Sequence, residues 1–178
     1  MASQMNLPML LTLSRIAAAP LLLWLLPAEG DGLRWLSTLV FLLAAGTDYL
    51  DGYLARKGGL VTRLGASLDE TADKILTLGA LLALLLSDSL GFWAALMALL
   101  IIGRDLLIAG LRSAGTGVNL GVTMVAKVKS AMLFLALSLW ILNAPGLVGL
   151  ALLALLISTG LSLWTGWHYL KVVLARFD

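Results

Sequence analysis

The chain has 178 residues, of which 61% are hydrophobic, and a mean hydropathy of +1.01. Soluble domains contain about 45 to 50% apolar residues, so this composition excludes an ordinary soluble domain and predicts a membrane protein. A net charge of only +2 gives no indication of a nucleic-acid partner, and the absence of cysteine excludes disulfides and thiolate metal sites.

Six helices are predicted. A helix that crosses the hydrocarbon core needs about 20 apolar residues, and turn-forming residues divide the chain into six such runs. In chain order the runs are 7–27, 33–56, 64–87, 90–113, 121–143 and 146–168. Residues 1–178 are therefore predicted to form one all-α domain, an integral membrane bundle of six transmembrane helices.

The first run resembles a secretory signal in its small residues near Ala17 to Pro20. It lacks a basic start, contains Arg15 and continues to Leu26. These features favour a membrane helix that is retained in the mature protein.

The second and third runs carry two pairs of acids. Asp48 and Asp51 are spaced i, i+3, and Asp69 and Asp73 are spaced i, i+4, so each pair shares one helix face. A short turn through Gly58-Gly59 makes the two helices antiparallel neighbours. We therefore expect four carboxylates to line one cavity.

Carboxylates in a membrane need partners that offset the free-energy cost of taking their charge out of water. Inserting one at a helix centre costs about 2.5 to 3.5 kcal/mol, and intramembrane ionisable groups are functional by default. Oxygen ligands without His or Cys suit a hard divalent ion, Mg²⁺ or Mn²⁺, particularly when phosphate oxygens complete the shell. The alternative is that the acids only pair with nearby bases, namely Arg56, Lys57, Arg63 and Lys74.

Small residues flank the acids. Gly52 follows Asp51 directly, Ala55 lies one turn later, and Gly65 begins the third helix. Glycine allows the backbone to approach a nucleotide or a phosphate closely. Helix packing is the competing explanation for these residues.

The fourth and fifth runs carry basic side chains. Arg104 and Arg112 lie eight residues apart, about two helical turns, and Lys127 stands inside the next apolar run. A pocket of this kind would bind a phosphorylated acceptor. The alternative is an Arg104–Asp105 neighbour pair with basic anchoring at the membrane surface, and anchoring is the preferred interpretation of Lys129.

The distribution of basic residues predicts the orientation. With a cytoplasmic amino terminus, only Arg34 lies on the far side, and the cytoplasmic helix ends carry Arg56, Lys57, Arg63, Arg112, Lys127, Lys129, Lys171 and Arg176. The same topology places four tryptophans near the outer interface, as an aromatic belt requires: Trp24, Trp35, Trp93 and Trp140.

Residues 48–73 read D-x2-D-G-x2-A-R-x8-G-x3-D-x3-D. This pattern resembles the signature of the CDP-alcohol phosphatidyltransferase family at eight positions: Asp48, Asp51, Gly52, Ala55, Arg56, Gly65, Asp69 and Asp73. The resemblance implies a six-helix membrane enzyme. Such an enzyme transfers the phosphatidyl group of CDP-diacylglycerol to an alcohol and releases CMP on the cytoplasmic side.

The resemblance also implies roles for these residues. Asp48, Asp51 and Asp69 would hold two Mg²⁺ or Mn²⁺ ions, and Asp73 would complete the site and act as general base. The cytidine diphosphate portion would contact Gly52, Ala55, Arg56 and Gly65. A homodimer in the bacterial inner membrane is expected on the same grounds.

The acceptor is indicated by three other stretches. "NLPMLLTLSR", "GRDLLIAGLRSAG" and "AKVKSA" resemble the phosphatidylglycerophosphate synthase branch, whose acceptor is glycerol 3-phosphate. Met9 and Ala126 depart from that branch, where Asn and Gly are frequent. The rivals are a cardiolipin synthase of the same family, with phosphatidylglycerol as acceptor, and an ion or proton transporter that uses the four aspartates as a relay.

Overall fold

The structure, a computed structural model, describes the backbone of residues 7–28, 30–57, 63–113 and 124–175, and the side chains of residues 9–28, 30–47, 68–69, 71–111 and 124–175. All regular secondary structure in these ranges is helical, which confirms the all-α prediction. The helices are α1 (Leu7–Leu25), α2 (Asp31–Lys57), α3 (Arg63–Leu86), α4 (Phe92–Ser113), α5 (Met124–Leu142) and α6 (Val148–Leu174).

The helix boundaries agree with the predicted runs except at the carboxyl end of α6. This helix continues to Leu174, past the predicted end at residue 168. The extension has a physical reason, because Tyr169 and Val173 are buried in a cluster with Ile108 of α4. Apolar contacts therefore continue beyond the last wholly apolar stretch of the sequence.

The predicted break at Ser87-Asp88-Ser89 is a helix-terminating turn. Asp88 adopts a positive φ of 53°, and the backbone N–H of Ser89 donates to the carbonyl of Leu84 at 3.1 Å. The guanidinium of Arg34, near the start of α2, donates to Ser89 Oγ at 2.9 Å. The start of α2 and the end of α3 therefore lie side by side, as expected for antiparallel neighbours.

Within the described residues, three helices are long and apolar enough to cross a membrane by length and composition, namely α4 over Phe92–Leu111, α5 and α6. The apolar part of α1, Met9–Leu25, is shorter. The charged motif interrupts the apolar character of α2 and α3. The chain is an integral membrane protein by these features, and the crossing of the bilayer by all six helices stays a prediction.

Three of the four tryptophans predicted to form an aromatic belt are exposed, and their depth in a membrane stays a prediction. Trp24, Trp35 and Trp93 are exposed on the protein surface, as interfacial anchors should be. Trp140 is 5% exposed and belongs to the core. Its ring is therefore covered by protein rather than exposed as an anchor, and its position near the outer interface stays a prediction.

The chain forms two compact units. The first contains α1, α2 and α3, and α1 contacts both of the other helices. Its core includes Leu22, Phe41, Leu76 and Leu84, all with no exposed surface. α1 and α3 approach closely at Gly79, where an added Cβ would lie 2.6 Å from Ala19 Cβ.

The second unit contains α4, α5 and α6. α6 presents buried small residues at helical spacing, a feature that lets membrane helices pack closely: Ala151, Ala154, Ser158 and Ser162. Ser158 Oγ donates to the backbone carbonyl of Lys129 at 3.0 Å and joins α6 to α5. α4 packs against α6 in the same unit.

Candidate active site

The first unit carries the acidic motif on two helices that contact each other. Asp48 and Asp51 lie in the carboxyl-terminal half of α2, and Asp69 and Asp73 lie in the first half of α3. Helix geometry places the members of each pair on one face. The side chains of Asp48 and Asp51 lie outside the described residues, so the predicted convergence of all four carboxylates stays a prediction.

Asp69 is held by a buried arginine. Asp69 Oδ1 accepts a hydrogen bond from Arg15 Nη2 at 2.5 Å, which joins α3 to α1. The Arg15 side chain has no exposed surface, whereas the Asp69 side chain is 36% exposed. The ion pair offsets part of the cost of burying a guanidinium and fixes one oxygen of the carboxylate.

Asp73 lies one helical turn after Asp69 and is half-buried. Together the two residues supply carboxylate oxygens, the ligand type that suits a hard divalent cation such as Mg²⁺ or Mn²⁺. No group of three or more His, Cys, Asp and Glu side chains gathers among the described side chains. The α2 aspartates that would complete a ligand set lie outside those side chains.

For the remaining predicted site residues the structure describes only the backbone. Gly52, Ala55 and Arg56 lie in the last turns of α2, and Gly65 lies in the first turn of α3. Arg112 lies near the end of α4. Their side chains and surroundings fall outside the described residues, so their binding roles stay predictions.

The second unit contains an ionic network around Arg104 and Asp105 of α4. Arg104 Nη1 donates to Asp105 Oδ1 at 2.7 Å, and Arg104 Nη2 donates to Thr165 Oγ1 of α6 at 2.8 Å. Lys129 of α5 donates to both oxygens of Asp105, at 2.8 and 2.9 Å. Asp105 thus links side chains from two helices, and Arg104 extends the link to the third.

The two lysines of α5 have different surroundings. Lys129 is 7% exposed and bound to Asp105, whereas Lys127 is exposed. Residues two apart point to different sides of a helix, which explains the contrast. The anchoring interpretation of Lys129 is therefore wrong: this ammonium is a buried ion-pair partner rather than a free charge at the membrane surface.

Comparison with known proteins shows which family the chain belongs to. The sequence model of the family described as CDP-alcohol phosphatidyltransferase matches residues 5–172. The chain belongs to the CDP-alcohol phosphatidyltransferase family. The match includes the four aspartates and the Arg104 network, so both candidate regions lie within the part shared by CDP-alcohol phosphatidyltransferases.

Bacterial members of this family resemble the chain over nearly its whole length. A protein of Rickettsia bellii is 38% identical over 175 residues, 93% of this chain and 94% of its own. A Haemophilus influenzae protein is 35% identical and covers 94% of this chain and 92% of its own. A Shigella flexneri protein is 35% identical and covers 98% and 97%. All three are named CDP-diacylglycerol–glycerol-3-phosphate 3-phosphatidyltransferase.

Sequence reasoning missed three contacts in this CDP-alcohol phosphatidyltransferase. Arg15 binds Asp69, Lys129 binds Asp105, and Thr165 accepts from Arg104. The sequence does contain a signal for the first, because a charged residue inside an apolar helix requires a polar partner in the bundle. It contains no comparable signal for Thr165, since one threonine in an apolar helix usually bonds to its own helix backbone.

Proposed function

We propose that this enzyme transfers the phosphatidyl group of CDP-diacylglycerol to glycerol 3-phosphate and forms phosphatidylglycerophosphate and CMP. The observation that carries the proposal is the similarity, at 35 to 38% identity, to bacterial proteins whose name states this reaction. The similarity covers at least 92% of each chain in the three comparisons. Support for a shared activity therefore comes from nearly the whole chain and not from one motif alone.

The proposed step is a substitution at phosphorus. The free primary hydroxyl of glycerol 3-phosphate attacks the phosphorus that carries the diacylglycerol. A new P–O bond forms, the bond between this phosphorus and the bridging oxygen breaks, and CMP leaves with that oxygen. Asp73 takes the proton of the attacking hydroxyl as general base, a role that requires it to lie within hydrogen-bond reach of that hydroxyl.

The acidic residues are proposed to hold two Mg²⁺ or Mn²⁺ ions. Asp48, Asp51, Asp69 and Asp73 would be the ligands, and the oxygen-only donor set fits these metals. When bound, the ions would stabilise charge on the diphosphate. Asp69 requires an orienting partner for this task, and Arg15 fixes one of its oxygens.

The other predicted residues are assigned to the two substrates. Gly52, Ala55, Arg56 and Gly65 are proposed to contact the cytidine diphosphate portion. The phosphate of the acceptor is proposed to bind three cations: Arg104, Arg112 and Lys127. A phosphorylated acceptor needs such cations, because a phosphate that leaves water must regain charge-assisted hydrogen bonds.

The charge distribution supports the proposed orientation of the protein in the membrane. We place the protein in the bacterial inner membrane with the site open to the cytoplasm, where both water-soluble reactants are found. Residues 1–178 are proposed to act as one catalytic domain, and the enzyme is proposed to form a homodimer.

The test measures CMP release by the purified protein in detergent–lipid micelles with CDP-diacylglycerol and Mg²⁺ or Mn²⁺. Glycerol 3-phosphate, phosphatidylglycerol, inositol phosphate and serine are offered separately. We expect turnover with glycerol 3-phosphate that requires metal and falls about a hundredfold to ten-thousandfold in Asp73→Asn.

Two other outcomes would change the proposal. Turnover with phosphatidylglycerol instead would keep the chemistry and identify a cardiolipin synthase. A lack of turnover with all four acceptors, in protein that unfolds cooperatively, would contradict the proposed function.

A further inference from the structure

The side chain of Arg104 occupies a space that a glycine provides. A Cβ built on Gly166 of α6 would lie 2.8 Å from Arg104 Nε and 2.9 Å from Arg104 Cγ. Any residue other than glycine at position 166 would therefore push the guanidinium away from its observed position. Open space surrounds the equivalent point at Gly160 of the same helix, where a Cβ would meet nothing within 4 Å.

Polar contacts hold the two ends of the same guanidinium. Asp105 accepts from Nη1 and Thr165 accepts from Nη2. Asp105 is itself held by Lys129, whose ammonium binds both carboxylate oxygens. The hydroxyl of Thr165 is oriented by its own donation to the carbonyl of Leu161 at 2.8 Å. Both side chains that accept from the guanidinium are thus held by a further bond.

Arg104 keeps donors for a ligand. A guanidinium has five N–H groups, and the contacts to Asp105 and Thr165 use two of them. Nε is buried and has no hydrogen-bond partner within the described part of the chain. The Arg104 side chain as a whole is 19% exposed, so a phosphate would approach the remaining N–H groups of Nη1 and Nη2 rather than Nε.

The charges of the network also favour an anion. Arg104 and Lys129 contribute two positive charges, and Asp105 contributes one negative charge. The group therefore carries a net positive charge beside an apolar helix surface. The carboxylate of Asp105 alone therefore does not balance the positive charges of Arg104 and Lys129.

We propose that Asp105, Lys129, Thr165 and Gly166 are positioning residues that fix Arg104 for the phosphate of the acceptor. The inference rests on the proposed function, because the acceptor phosphate is the anion that Arg104 would bind. The four positioning residues would determine the affinity for the acceptor through Arg104, without touching the reacting atoms themselves.

The test uses two uncharged substitutions. Gly166→Ala displaces Arg104 and changes no charge, and Thr165→Val removes the acceptor of Nη2 at nearly constant volume. Gly160→Ala is the matched control, since it adds the same methyl group to the same helix in open space. Steady-state CMP release is measured against each substrate in turn, and thermal unfolding is measured for every variant.

We expect both substitutions to raise the KM for glycerol 3-phosphate by roughly tenfold, the loss typical of a hydrogen bond to a charged group. The kcat and the KM for CDP-diacylglycerol should stay within about twofold of the wild-type values, because the lost interaction is made equally in the ground state and the transition state. Gly160→Ala should match the wild type in all three parameters.

The inference is overturned if the folded variants keep the wild-type KM for glycerol 3-phosphate. It is also overturned if the constants for both substrates and the melting temperature change together, since that pattern describes a structural ion pair. If Gly166→Ala does not fold, Thr165→Val decides the question alone. A wild-type protein that is inactive with glycerol 3-phosphate would instead refute the proposed function, and this inference with it.

Discussion

At the scale of single residues, the buried Arg15 is the least expected feature of the first unit. A guanidinium with no exposed surface is rare unless it is paired, and Asp69 provides the pairing. The pair contributes to stability and also fixes a carboxylate of the acidic motif proposed to be catalytic. Changes at Arg15 should therefore affect both folding and activity.

We predict that Arg15→Met lowers the free energy of unfolding by about 1.5 to 3 kcal/mol, the range for a hydrogen bond to a charged group. The measurement is thermal unfolding in detergent, followed by tryptophan fluorescence. Arg34→Met is the matched control, because Arg34 is only half-buried and donates to the hydroxyl of Ser89 rather than to a carboxylate, so that no ion pair is lost and a smaller loss of about 1 kcal/mol is expected. Equal losses in the two variants would contradict a special role for the ion pair with Asp69.

The candidate site was predictable from the sequence to different degrees. The i, i+3 and i, i+4 spacings place each aspartate pair on a helix face, because helix geometry depends only on local sequence. The bonds from Arg15 to Asp69 and from Arg104 to Thr165 join residues far apart in the chain. Such pairings depend on how helices pack, which a single sequence does not specify.

At the scale of helices, the packing of α1 on α3 depends on small residues. An added Cβ at Gly79 would lie 2.6 Å from Ala19 Cβ and 3.0 Å from Ala19 Cα. The second of these atoms is backbone and cannot move without shifting α1. Close helix approach through small residues is a main source of stability between membrane helices.

Gly79→Ala should therefore destabilise the protein by about 1 to 3 kcal/mol, the usual cost of overpacking. Gly160→Ala, in open space on α6, should be neutral or stabilise by up to about 1 kcal/mol, because alanine is the better helix former. Thermal unfolding of both variants in one detergent provides the comparison. A Gly79→Ala protein as stable as Gly160→Ala would contradict the observed packing of α1 on α3.

The helices themselves were largely predictable, and the reason is visible at their ends. Turn-forming residues mark the breaks, as at Asn143 and Gly146, which have φ values of 47° and 86°. The late end of α6 was not predicted, because the contacts of Tyr169 and Val173 with Ile108 come from tertiary packing. Apolar composition alone does not predict such contacts.

At the scale of the whole molecule, the distribution of charge predicts how the chain is inserted. Basic residues concentrate at one set of predicted helix ends, and this bias predicts a cytoplasmic amino terminus. The natural chain has no cysteine. Single introduced cysteines can therefore report the side of the membrane without interference from native thiols.

Gly91→Cys, in the exposed connection between α3 and α4, should react with a membrane-impermeant maleimide added outside intact spheroplasts. Gly117→Cys, in the connection between α4 and α5, should react only after the membrane is made permeable. This opposite labelling is the result expected for a chain that crosses the bilayer at α4 with its amino terminus inside. Labelling of both positions from one side would contradict the six-span topology.

In the proposed reaction, the free primary hydroxyl of glycerol 3-phosphate attacks the phosphorus of CDP-diacylglycerol that carries the diacylglycerol. The most direct test supplies glycerol 3-phosphate with ¹⁸O in its free primary hydroxyl and analyses the lipid product and CMP by mass spectrometry. We predict that phosphatidylglycerophosphate retains the label and that an equal amount of unlabelled CMP is formed. Label in CMP, or CMP released without labelled lipid, would contradict the account.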